Sequence, residues 1–210
     1  STVMKVFVLE NSSKMPYRSM QTFYKTEFSY PLGAEVKNDI SETNAAHPRI
    51  IVNSTQLGKL RDFCKNDAQG KLWYEKVKSV TETILNEELP NVGNGLSQAD
   101  MRKYEDDLIN MSFIYLIEEE EQYAEKTVEL LKRLFQADSW ESDYLGLVEL
   151  CAGVSIAYDW CYDYIKEKEV AQLIEDGLVE KALMIGINNY RNLKPTFGFC
   201  YGRNNQNIVT

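Results

Sequence analysis

The sequence has 210 residues, 44% of them hydrophobic and 26% charged, which predicts a globular protein with one sizeable domain or two small ones. Its 32 acidic and 23 basic side chains give a net charge of −9, which argues against binding nucleic acid by neutralising phosphates. No apolar run reaches the roughly 18 to 20 residues that cross a bilayer, so we expect no membrane span. The first residues are also too polar for the apolar core of a signal peptide.

The chain divides into two parts by residue pattern. In residues 1–46, β-forming residues such as Val6 and Val8 are separated by turn-forming segments, which predicts an extended arm with a short strand near residues 3–9. The pattern of residues 47–210 predicts a helical domain instead.

Apolar residues recur at helical spacing from Asn53 onward, and residues 53–187 are predicted to form three antiparallel helical hairpins. Ser54 and Ser97 are the predicted N-caps of the first and third helices. The third hairpin is predicted to run from about Ser142 to Tyr164 and from Lys166 to Ile187. The predicted core faces of the first four helices are Leu57, Leu60 and Cys64; Trp73, Val77, Val80 and Ile84; Met101, Tyr104, Leu108, Met111 and Tyr115; and Tyr123, Thr127, Leu130 and Leu134.

The fold class is therefore all-α. No 34-residue tetratricopeptide repeat is present, so hairpins in series favour part of an incomplete (α/α) toroid over a plain solenoid.

Cysteine and histidine usage restricts the chemistry. The four cysteines, which are Cys64, Cys151, Cys161 and Cys200, form no CxxC motif, and with a single histidine we expect neither a metal site nor a cofactor. Cys151 and Cys161 are predicted on one helix, about 15 Å apart along its axis, so free thiols are favoured over a disulfide. His47 is the one candidate imidazole base, and a structural role is favoured for it.

Acidic residues are abundant, and most are interpreted as solvated: Asp106 and Asp107, the run Glu118–Glu121, and Glu167 with Glu169. Asp159 and Asp163 differ, because they lie four residues apart among aromatic side chains. They indicate either a carbohydrate-binding surface or a core-facing aromatic helix end, and the second interpretation is favoured.

The last 23 residues, 188–210, have another character. They contain Arg191, Lys194 and Arg203 and no acidic residue, together with six asparagines and four aromatic residues. Amide groups donate and accept hydrogen bonds, and arginine binds carboxylate or sulfate in a bidentate manner, so the segment suits an anionic sugar. The competing interpretation is an irregular polar connection whose asparagines serve turns and caps.

Four short motifs, in this order, resemble the N-terminal part of the heparinase II/III-like and alginate-lyase-like polysaccharide lyases. His47-Pro48-Arg49-Ile50-Ile51-Val52 is similar to the His-Pro-Arg-Leu-Leu entry of that family. Tyr123-Ala124-Glu125, after an acidic turn, resembles its Tyr-Ala-Glu stretch. Tyr158-Asp159-Trp160 is similar to its Tyr-Asp-Trp stretch, and Asn204-Asn205-Gln206-Asn207 resembles its Asn-Asn-Trp-Asn or Asn-Asn-His signature. The resemblance covers roughly residues 47–210.

The resemblance implies an enzyme that cleaves uronate-containing, anionic polysaccharide by β-elimination. It assigns to Asn205 the neutralisation of the substrate carboxylate, and substrate contact to Asn204, Gln206, Arg203 and Tyr201; Gln206 stands where the family has Trp or His. The family's catalytic Tyr and further His would follow Thr210, so the chain is expected to be an inactive N-terminal fragment that needs the C-terminal part of the same protein.

A bacterial origin and a periplasmic or secreted location follow from the same resemblance. The rival hypothesis is a non-catalytic helical-hairpin module that binds a glycan or a protein partner.

Overall fold

The computed structural model describes residues 46–93, 95–140 and 144–187. Within these ranges the chain forms seven α-helices and one π-helical turn, and no strand, so the all-α prediction is confirmed there. The predicted arm and its strand lie outside the described residues, apart from Ala46. The helices are α1 (Ser54–Asn66), α2 (Ala68–Asn86), α3 (Gln98–Glu118), α4 (Glu121–Leu134), α5 (Tyr144–Trp160), α6 (Tyr162–Ile165) and α7 (Glu169–Leu178), which continues into the π-turn Val179–Leu183.

The N-cap of α1 lies one residue before the predicted one. Asn53, and not Ser54, is the N-cap, because its side chain accepts hydrogen bonds from the amides of Thr55 and Gln56. The Gln56 side chain in turn accepts from the Asn53 amide at 3.2 Å, which completes a capping box. Ser54 is the first helical residue. The second predicted cap is confirmed, since Ser97 caps α3 in a capping box with Asp100.

Helix α3 lies at the centre of the described helices, and nine of its 21 residues are buried, between Met101 and Ile117. It approaches α5 closely at two glycines. A Cβ on Gly146 would lie 2.6 Å from the Met101 sulfur, and one on Gly153 would lie 2.8 Å from the Glu105 Cα. The residue that is later on α5 thus contacts the residue that is later on α3, so the two helices run in the same direction.

Helix α2 runs antiparallel to α3. Near one end of the pair, Tyr74 and Lys78 bind Glu118, and near the other Glu87 binds Lys103. Helix α4 follows α3 after a two-residue turn in which Glu119 adopts a left-handed conformation with φ of 61°. An up-and-down order with a parallel next-nearest helix is the arrangement of αα-hairpins in series.

The predicted helix from Ser142 to Tyr164 is interrupted. Helix α5 ends at Trp160, Cys161 is the N-cap of α6, and α6 is a separate turn. Cys161 therefore lies just beyond the helix that carries Cys151, and the prediction that the two share one helix is wrong. Cys64, Cys151 and Cys161 are free, as predicted, while Cys200 lies outside the described residues. Burial raises the pKa of the Cys161 thiol to about 12.

The predicted core face of α2 is partly wrong. Trp73 and Val80 are 59% and 48% exposed, whereas Thr81 and Ile84 are buried. Gly70 is buried as well, because α2 crosses α1 so closely that a Cβ there would lie 2.3 Å from the Phe63 carbonyl oxygen. The core faces predicted for α3 and α4 are confirmed, except that Tyr115 is only partly buried: Met101, Tyr104, Leu108, Met111, Tyr123, Thr127, Leu130 and Leu134 are all buried.

Candidate functional site

The segment before α1 docks on the C-terminal end of α5. Its anchor is Asp159, whose side chain is only 3% exposed. One carboxylate oxygen accepts from the backbone amides of Arg49 and Ile50 at 2.8 and 2.9 Å, and the other lies 2.6 Å from Nδ1 of His47. A carboxylate that accepts several hydrogen bonds tolerates burial that an unpaired charge would not. Two motifs separated by about 110 residues thus meet at one side chain.

Hydrogen bonding fixes the tautomer of His47. Its Nε2 is hydrogen-bonded to the Arg49 guanidinium, which can only donate, so Nε2 must be the acceptor. The proton of a neutral ring is then on Nδ1, which donates to Asp159. The imidazole also stacks on Tyr162, with ring centroids 3.7 Å apart and planes 12° from parallel. The His47 side chain is 7% exposed and contacts Asp159, Arg49 and Tyr162. These contacts agree with the structural role predicted for it.

The neighbouring contacts combine one hydrogen bond with apolar packing. The Trp160 indole nitrogen donates to the Ile50 carbonyl oxygen at 3.1 Å, and its ring packs 6.0 Å from that of Phe113. Val52 and Leu116 join Trp160 in a small second core beside the main one. The His47–Val52 segment is therefore attached to α5 by charge, hydrogen bonds and packing together.

Asp159 and Asp163 do not form one carbohydrate surface. The oxygens of Asp159 are occupied by the His47–Ile50 segment, whereas Asp163 is 73% exposed and binds Lys166 at 2.9 Å. The favoured interpretation, an aromatic helix end facing the core, describes Asp159 and Trp160 only in part, because the chain that covers them is the His47–Val52 segment. Sequence reasoning named both partners but had no signal that they touch.

A second polar cluster joins α2 to the end of α3. One Glu118 oxygen accepts from the Tyr74 hydroxyl and from Lys78, the latter at 2.5 Å. Burial alone would raise the pKa of Glu118, but the two hydrogen bonds outweigh it and hold the pKa below its ordinary value. Glu118 is therefore not part of a solvated run as predicted, whereas the rest of that run, Glu119 to Glu121, is exposed.

A groove of about 930 Å³ lies between α2 and the N-terminal half of α3. Lys103 lies in it and bridges Glu87 and Asp107, at 3.1 and 3.0 Å. Burial raises the pKa of Asp107, against the opposing effect of the Lys103 ammonium. Asp107 is thus buried and paired, contrary to the solvated role predicted for it, whereas Asp106, Glu167 and Glu169 are exposed as expected.

The residues assigned to substrate lie outside the described residues: Asn205, Asn204, Gln206, Arg203 and Tyr201. Within the described ranges, no group of three or more His, Cys, Asp or Glu side chains is arranged to hold a metal ion. None of the helices described combines the length and the apolar character needed to cross a bilayer.

Compared with known proteins, the chain matches no family and no curated protein at a significant level.

Proposed function

We propose that the chain is the N-terminal helical part of a lyase that cleaves uronate-containing polysaccharide by β-elimination. The observation that carries the proposal is the contact between the His-Pro-Arg segment and the Tyr-Asp-Trp stretch, joined through Asp159. Both segments resemble motifs of the heparinase II/III-like lyases, and their contact supports an architecture in which these two motifs lie together.

The arrangement of helices supports the same proposal. Parallel α3 and α5, with α2 antiparallel to α3, follow the order of an (α/α) array, and we infer that they form part of a toroid. In this proposal the described helices support one wall of a cleft, and Asn205 neutralises the uronate carboxylate while C5 loses its proton. Periplasmic or secreted location belongs to the same inference.

The test is a lyase assay with alginate, heparin and heparan sulfate as substrates, in which the unsaturated uronate product is followed by its ultraviolet absorbance. We expect the 210-residue chain alone to form no unsaturated uronate, and the product of the whole gene to form it. Asn205→Ala in that protein should lower kcat by about 10²- to 10³-fold, the loss typical of one oxyanion-type donor. A folded Asn205→Ala enzyme with normal turnover removes Asn205 from the mechanism.

A second candidate is a non-catalytic helical-hairpin module that binds a glycan or protein partner. It is favoured by four large exposed apolar side chains on the first helix pair, Phe63, Leu72, Trp73 and Val80. This candidate predicts that the product of the whole gene binds acidic polysaccharide, or a protein, without cleaving polysaccharide.

A further inference from the structure

Few acceptors among the described residues face the positive charge of the Arg49 side chain. Its guanidinium has five N–H donors, of which one is used within the described residues, on Nε2 of His47. The nearest carboxylate within the described residues, Asp159, is 3.9 Å from the Arg49 Nε and already accepts from His47 and two backbone amides. The Arg49 side chain is also 43% exposed. Four donors of a permanent cation are therefore left without a hydrogen bond in the described part.

The guanidinium lies beside aromatic rings. His47, which it contacts, stacks on Tyr162, and Tyr158 packs edge-on against Tyr162 with centroids 5.6 Å apart. The positive charge of Arg49 acts on Tyr158 as well, where it opposes the rise that burial and Glu175 cause in the pKa of that phenol. A guanidinium can bind a carboxylate in a bidentate manner, and the half-buried rings beyond His47 offer apolar surface to the rest of a ligand.

We propose that Arg49 binds the carboxylate or sulfate of an acidic polysaccharide, and that binding draws the guanidinium away from Nε2 of His47. The inference rests on the proposed function, which names the acidic polysaccharide. An anion competes well for Arg49, because a carboxylate or sulfate adds charge attraction and can accept from the guanidinium in a bidentate manner, whereas Nε2 of His47 accepts a single hydrogen bond. The hydrogen bond between Asp159 and Nδ1 of His47 is kept, and Nε2 loses its hydrogen-bond partner.

The single histidine makes this exchange measurable. In the ¹⁵N-labelled 210-residue chain, both imidazole nitrogen signals belong to His47, so the tautomer is read without further assignment. The chain is titrated with a mannuronate tetrasaccharide, with neutral cellotetraose and with sodium sulfate. We expect the acidic tetrasaccharide to shift the Nε2 signal to saturation while the Nδ1–H signal persists, and neutral cellotetraose to leave both signals unchanged. Sulfate should need at least about tenfold more anion, because it lacks the sugar contacts.

Variants separate the site from general charge attraction. Arg49→Ala and Arg49→Lys should bind the tetrasaccharide at least about tenfold more weakly, the loss expected for hydrogen bonds to a charged group. Lys59→Ala removes the same charge from an exposed position on α1 and should bind as wild type does. The Arg49 backbone amide still reaches Asp159 in both variants, so a retained Nδ1–H signal verifies that the segment is folded.

The outcomes distinguish the two proposals. Tetrasaccharide binding with an unmoved His47 signal and an unaffected Arg49→Ala variant overturns the Arg49 site and leaves the lyase proposal standing. An equal shift with sulfate at equal anion concentration overturns the polysaccharide as the source of the anion. Absence of lyase activity from the full gene product, together with Arg49-dependent binding, overturns the lyase proposal and keeps the site.

Discussion

Asp159→Ala removes the acceptor of three hydrogen bonds from a place that solvent barely reaches. The amides of Arg49 and Ile50 lose their partner, and His47 loses the group that fixes its tautomer. The cavity left behind is polar, so packing cannot replace what was removed. Asp159→Asn keeps one oxygen for the two amides but turns an N–H towards the His47 Nδ1 proton, so it should fall between wild type and alanine.

The expected loss follows from these contacts. Each buried amide left unpaired costs about 1 to 3 kcal/mol, and a hydrogen bond to a charged group such as the Asp159 carboxylate contributes about 1.5 to 3 kcal/mol. Arg49 and Ile50 belong to an exposed stretch, so water reaches part of the vacated space and the lower ends of these ranges apply. We therefore expect Asp159→Ala to lower the free energy of unfolding by about 3 kcal/mol.

The measurement is urea unfolding followed by far-ultraviolet circular dichroism. With a slope of about 2 kcal/mol per M, the midpoint should fall by about 1.5 M at unchanged slope. Asp163→Ala is the matched control, because Asp163 lies four residues further along the chain, on α6, is largely exposed and binds only Lys166 within the described residues. It should stay within about 0.5 kcal/mol of wild type. If both variants shift the midpoint equally, the reasoning about Asp159 is refuted.

Three further changes test other parts of the described chain. Gly153→Ala should lower the stability to heat by about 1 to 3 kcal/mol, because the new Cβ meets Glu105 backbone at 2.8 Å, whereas Gly58→Ala, with nothing within 4 Å, should raise it slightly; equal melting temperatures would contradict the close approach. Glu118→Gln should be destabilising in a pH-dependent way. Because the folded pKa of Glu118 is lowered, the wild-type advantage is complete above the ordinary value of 4.5 and disappears as the pH falls through the folded value, so urea midpoints that differ by the same amount at every pH would rule this out. Ile51→Gly should raise the melting temperature by a few degrees, about 1 kcal/mol, because Ile51 is 77% exposed and has φ of 67°, and a lower melting temperature would show that the turn is unstrained.

Helical periodicity was sufficient where apolar residues alone make the buried face. Met101, Leu108 and Met111 on α3 are all buried as the spacing predicts. On α2 the same spacing predicts that Trp73 is buried, but the buried face of the helix is rotated towards Gly70 and Thr81. Neither residue is strongly apolar: Gly70 is required by the close crossing of α1, and the Thr81 hydroxyl donates to its own helix at 2.9 Å.

One cap could have been placed from sequence. Asn53 and Ser54 are both good capping residues, but only Asn53 has a glutamine three residues later, which is the capping-box spacing. The buried carboxylates were harder. Lys103 lies four residues before Asp107, which is a helical spacing that allows an ion pair. The spacing is the same for a buried pair and for an exposed one, so it does not predict that Asp107 is buried. The contact of Asp159 with His47 spans 112 residues, and no local pattern reports it.

The turn at Ile51 connects the stability of the segment to the proposed anion site. The Val52 amide donates to the Ile50 carbonyl at 2.7 Å across a residue with positive φ, a conformation that costs a β-branched side chain about 1 to 3 kcal/mol and persists only where neighbours hold it. The Ile50 amide donates to Asp159, and the Ile50 carbonyl oxygen accepts from the Trp160 indole. The same carboxylate fixes the His47 tautomer and the backbone of Arg49, so Asp159→Ala should abolish the turn and the anion site together. Ile51→Gly relieves the strain and leaves Asp159 in place, and a variant that melts higher yet still binds through Arg49 would separate the two.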